Sequence, residues 1–97
     1  MDLEYDWVTQ QEIGSRVRAL RTKRGMSQEL LAYRAGQIYW RHCPEGKMLT
    51  IHWILRLEHA RVKVLTIEYL CAIAAALEVP LGDLILPEAR PHSAATP

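Results

Sequence analysis

The side chains with most chemistry to offer in this chain are cationic, and they are unevenly placed. Residues 13–65 hold eleven Lys and Arg against three acids (Glu29, Glu45, Glu58), a balance of +8. Residues 1–12 stand at −4 and residues 66–97 at −3, so a formal net charge of +1 conceals a basic centre between acidic ends. Such a centre suits a phosphate-bearing partner, although a solvated helix face gives the same pattern and charge alone does not separate the two. His42, Cys43, His52 and His59 contain the donor types for zinc, but an adjacent His-Cys with no second cysteine pair is not a zinc spacing. No metal and no cofactor are therefore expected. No Ser/His/Asp order, Gly-rich phosphate loop or carboxylate pair stands out, so the chain does not read as an enzyme. Tyr39-Trp40 could stack on a base, though aromatic residues of such a segment more often cover a core or a dimer partner.

The elements that must position these groups read as helices. Ninety-seven residues, 49% of them hydrophobic, make one domain with a core of its own. Thr9-Gln10-Gln11-Glu12 is a capping box, after which Ile13, Val17 and Leu20 recur on one face up to Gly25. Ser27 caps a second helix whose inner face is Leu31, Ala32 and Ala35, and Gly36 is expected to close it. Residues 37–48 change texture. Pro44-Glu45-Gly46 is turn chemistry, predicting a loop or short hairpin with strands near 38–42 and 47–50. Thr50 caps a third helix to about Ala60 with Ile54 and Leu57 inward, and Arg61–Leu65 is a basic connector. Thr66 caps a fourth helix with Leu70, Ile73, Ala74 and Leu77 buried, and a short fifth runs over about 81–86.

The expected boundaries are an N-terminal arm at 1–8, a domain at 9–86 with an insertion at 37–48, and a disordered tail at 87–97. Cys43 and Cys71 are distant in sequence, and Cys71, within YLCAIAAAL, reads as a small core residue. That usage fits a reducing compartment. With no run of roughly 18 uncharged apolar residues and no signal-peptide pattern in MDLEYD, the expected localisation is cytoplasmic.

Residues 13–85 resemble the Xre/Cro family of lambda-repressor-like domains. The resemblance rests on IGSRVRALRTKRGMSQELLAYRAG and on ILRLEHARVKVLTIEYLCAIAAALEVPLGDLI, above all SQELLA at 27–32, Glu58, and LEVPLGDLI at 77–85. It implies an all-α, five-helix bundle containing a helix-turn-helix. The family usually places about ten residues between the turn glycine and the glutamate, whereas Gly36 and Glu58 are 22 apart. Reading back from Glu58 sets the recognition helix at TIHWILRLE and leaves 37–48 as an insertion in the turn. A second alignment starts a helix at QIYWRH directly after Gly36.

In a helix-turn-helix the second helix of the motif enters the major groove while phosphate contacts set the register. At 100° per residue, His52, Leu55, Arg56 and His59 face outward. Arg56 suits guanine O6 and N7, His52 a guanine or phosphate, and Leu55 a thymine methyl. Thr50 begins this helix and joins the expected DNA contacts. The resemblance further implies phosphate contacts from Gln28, Arg61 and Lys63, and a structural pair between Arg21 and Glu58. The expected function is a sequence-specific transcriptional regulator, a repressor, binding double-stranded DNA at a two-half-site operator as a homodimer, with Tyr39 and Trp40 as dimer candidates. Apolar Ile51, Trp53 and Leu55 on the recognition helix favour a different class: an antitoxin-like or partner-binding module using the insertion and helix 50–60 on a protein.

Overall fold

The structure is a computed structural model and describes residues 8–45, 48–63 and 65–87; of the expected arm (1–8) and tail (87–97), all but residues 8 and 87 lie outside the described residues. Five helices follow one another: α1 Gln10–Lys23, α2 Gln28–His42, α3 Ile51–Glu58, α4 Ile67–Leu77 and α5 Gly82–Ile85, with no strand among the described residues. The caps explain two of the starts. Thr9 Oγ1 accepts from the Glu12 amide at 3.1 Å, and Ser27 Oγ accepts from the Leu30 amide at 3.0 Å. Thr50 and Thr66 stand at the N-caps of α3 and α4 without a side-chain cap bond. The expected return contact of the first capping box is replaced by a pair between Glu12 and Arg16 at 3.3 Å.

Helix α2 corrects the sequence reading. Gly36 does not end it, and residues 37–42, expected as part of a loop or hairpin, are helical. The physical reason is continuity: nothing from Gln37 to His42 breaks a helix, and Ile38 and Tyr39 prolong the stripe begun by Leu31, Ala32 and Ala35. The break comes where Pro44 excludes the helical region for the residue before it, leaving Cys43 at φ −136° and ψ 68°. Gly36 serves a close approach instead. A β-carbon there would meet the Leu49 carbonyl oxygen at 3.1 Å, so the chain returning to α3 lies against the middle of α2.

The core lies where α2 packs along α4 while α1 and α2 both pack on α3. Val17, Leu31, Ile54, Leu57, Ile73, Leu77 and Leu84 are sealed from solvent, and Ile13 and Leu70 nearly so. Leu20, expected in this set, is only partly buried against it. Tyr69, Leu49 and Val62 are buried without having been expected. Cys71 is a further correction. It is exposed, because the buried arc of α4 passes through Leu70, Ala72 and Ile73 and leaves position 71 on the outer side.

Two contacts fix how α3 sits. Gly14 of α1 faces the end of α3 so closely that a β-carbon would collide with the Leu57 carbonyl oxygen. The side chain of Gln10 bonds both backbone groups of Val62, donating to its carbonyl and accepting from its amide, each at 2.7 Å. Arg16 reaches the far end of the bundle and donates to the carbonyls of Asp83 at 3.2 Å and Leu86 at 2.6 Å, closing α5 onto α1.

Candidate nucleic-acid interface

Arg21 and Glu58 organise one end of α3. The guanidinium donates through Nε to Glu58 Oε2 at 2.7 Å and through Nη2 to Oε1 at 3.0 Å, while Nη1 reaches the Met26 carbonyl at 2.9 Å. This is a fork-to-fork pair with the carboxylate side chain 2% exposed and the guanidinium 11%. The hydrogen bond to Glu58 holds the Arg21 pKa above its ordinary value, against the lowering effect of burial. Gln28, at the start of α2, donates to the same Glu58 Oε1 at 3.0 Å. A residue expected to meet phosphate therefore already spends one amide hydrogen on positioning the carboxylate.

With Ile54 and Leu57 buried, α3 turns Thr50, His52, Arg56 and His59 to solvent and leaves Leu55 half-buried. The Thr50 hydroxyl is not spent on the cap. Trp53 is held by α4: its ring meets Tyr69 edge-on at 4.8 Å and 88°. Arg56 then shares a groove of about 410 Å³ with Trp53, Arg61, Val62 and Lys63. Three residues distant in role on the sequence reading, Arg56, Arg61 and Lys63, are thus brought to one place, and the Gln10–Val62 bonds fix the connector that carries two of them. A second groove of about 390 Å³ gathers Arg18, Arg21, Ser27, Gln28, Glu58 and His59 at the amino end of α2. Arg18 and His59 were not among the expected site residues. Arg18 lies one turn before Arg21, and that spacing was the available signal.

The geometry so far is a short helix locked onto a bundle, its polar face exposed and bordered by cationic grooves. The family model described as "Helix-turn-helix domain" matches residues 12–85. The chain belongs to this family of Xre/Cro-like helix-turn-helix domains. A helix-turn-helix domain is a DNA-binding unit. No curated protein and no solved structure matches the chain. No described helix is long and apolar enough to cross a membrane. Among the described residues no group of three or more His, Cys, Asp or Glu is placed to hold a metal ion.

Tyr39 and Trp40, adjacent on α2 of this helix-turn-helix domain, face different surroundings. Tyr39 is half-buried, its ring edge-on to Tyr69 at 4.7 Å and 87°. Trp40 is 58% exposed and lines a groove of about 680 Å³ with Tyr33, Met48 and Ile51, of which Tyr33 and Met48 are also well exposed. Tyr69 is the hub that sequence reasoning missed. It takes Tyr39 on one side and Trp53 on the other, and its hydroxyl donates to the Met48 carbonyl at 3.3 Å.

Proposed function

We propose that this helix-turn-helix domain is a sequence-specific transcriptional regulator, a repressor, that binds double-stranded DNA and reads bases with the outer face of α3. The observation that carries the reading is the common placement of Arg56, Arg61 and Lys63 around Trp53, beside the exposed Thr50 and His52. Arg56 presents a planar fork to guanine O6 and N7, His52 lies one turn before it, and the half-buried Leu55 edge suits a thymine methyl. Arg61 and Lys63 take phosphates. On the other side, the leading amides of α2, with Arg18, Gln28 and His59 around them, form a second phosphate cradle. Gln28 acts there as a bridge, one amide hydrogen on Glu58 and its remaining polar positions toward the backbone of DNA.

Repression by occupancy of a two-half-site operator requires a homodimer. The Tyr33–Trp40–Met48 groove is the surface we assign to the second copy, because three of the large apolar side chains left in solvent converge on it. A second reading rests on the same groove: a different protein fills it, and the domain is a partner-binding module. The deciding experiment is a polarisation titration of the whole chain against genomic fragments at two salt concentrations. Specific binding that weakens steeply with salt supports the regulator; failure to bind any duplex at low salt overturns it in favour of the partner-binding module.

A further inference from the structure

The two cysteines, 28 positions apart in sequence, line one groove of about 220 Å³ between the end of α2 and the outer side of α4. Its wall is mostly apolar, formed by Ile38, Tyr39, Ile67 and Ala72, with His42 at the same margin. Both thiols are free, Cys71 exposed and Cys43 half-buried. Their supports differ in stiffness. Cys71 sits in the second turn of α4. Cys43 is the C-cap residue of α2, at φ −136° and ψ 68° directly before Pro44 and so outside helical geometry. Among the described residues no group of three or more His, Cys, Asp or Glu could hold a metal ion, and two thiols in one groove are placed for successive exchange with a disulfide.

We propose that Cys43 and Cys71 form a dithiol site that closes to an intramolecular disulfide by exchange with a low-molecular-weight disulfide. The exposed Cys71 thiolate attacks one sulfur of the small disulfide and expels a thiolate, giving a mixed disulfide on α4. The Cys43 thiolate then attacks the Cys71 sulfur and expels the second small thiolate. The two protons lost by the protein end on the two small thiols released, so one small disulfide is reduced and one protein disulfide is made. The bond closes a ring over residues 43–71, which contains the whole of α3. Oxidation thereby clips the extended end of α2 to α4 around the helix that faces solvent. The site stands on the placement of the two thiols and not on the DNA-binding reading.

The test uses the whole chain, reduced, then incubated folded with oxidised glutathione and quenched with N-ethylmaleimide. The expected product is a monomer two hydrogens lighter, without maleimide, in which trypsin leaves peptides 42–47 and 64–97 joined. Its thermal midpoint is raised by more than about 10 °C over the reduced chain, because the closed loop restricts the unfolded state. Cys43→Ser and Cys71→Ser each take one glutathione, with no such rise. A wild-type product carrying two glutathiones, two maleimides or a disulfide between chains overturns the proposal. Circular dichroism of the serine variants, unchanged from wild type, ensures that the comparison is between folded proteins.

Discussion

Glu58 shows how much of this molecule turns on single side chains. Its carboxylate accepts from Arg21 twice and from Gln28 once while almost wholly out of solvent. Removing it leaves the Arg21 charge in place without its partner, so Glu58→Ala is expected to lower unfolding free energy by about 3–5 kcal/mol, measured as a lower urea midpoint at unchanged slope. A variant as stable as wild type would refute the structural role of the pair. The proposed contacts with DNA make the opposite demand. Arg56→Ala and His52→Ala should leave stability unchanged and weaken specific binding by roughly 1–3 kcal/mol each, with non-specific binding nearly intact. Arg61→Ala and Lys63→Ala should weaken all sequences alike and flatten the dependence of affinity on salt. Polarisation with matched and scrambled duplexes separates the two classes; identical behaviour of the four variants would remove α3 from the groove.

At the scale of elements, the extra turns of α2 are held by aromatic contacts whose strength depends on pH. Burial pushes the phenol of Tyr69 above its ordinary 10.0, and that of Tyr39 likewise, chiefly through desolvation. A group whose folded pKa is raised contributes stability that is present below the unfolded value and lost as pH rises through the folded one. The Tyr39–Tyr69–Trp53 cluster therefore contributes in full below pH 10 and declines as pH rises from there through the raised folded values, where the Tyr69 hydroxyl also loses the proton it gives to Met48. Tyr69→Phe should start with a lower urea midpoint at neutral pH, yet lose less than wild type between neutral and strongly alkaline pH. Parallel losses in the two proteins would show that the tyrosines do not carry the alkaline sensitivity. The end of α2 was misread because Gly36 resembles a stop and Pro44-Glu45-Gly46 resembles a hairpin turn. The Ile38–Tyr39 stripe carried the helix past Gly36 as far as the Pro44 break, and the demand for glycine at 36 came from Leu49, thirteen residues on.

For the whole molecule, the open question is what covers Tyr33, Trp40 and Met48. With a second copy as the occupant, Trp40→Ser with Tyr33→Ser should shift sedimentation of the full chain from dimer to monomer and weaken operator binding in parallel. The fold itself should survive, since both side chains are exposed and neither belongs to the core. A double variant that stays dimeric and binds normally would exclude this groove as the dimer surface.

The helical class, the caps at Thr9 and Ser27 and the inward positions Val17, Leu31, Ile54, Leu57, Ile73 and Leu77 were all legible in the linear sequence. They depend on neighbours within one or two turns, and a 3.6-residue period exposes such neighbours directly. Family wording carried the expectation that Arg21 would face Glu58, across a gap of 37 residues. Other features belonged to the tertiary structure alone: Gln10 on Val62, Gly14 against Leu57, Tyr69 between Tyr39 and Trp53, and Cys71 turned toward the groove that holds Cys43. Each is a meeting of residues far apart in the chain. A local pattern states which face of a helix is apolar, but not which side chain of another helix will stand opposite it; that depends on how the helices cross and how closely their backbones can approach.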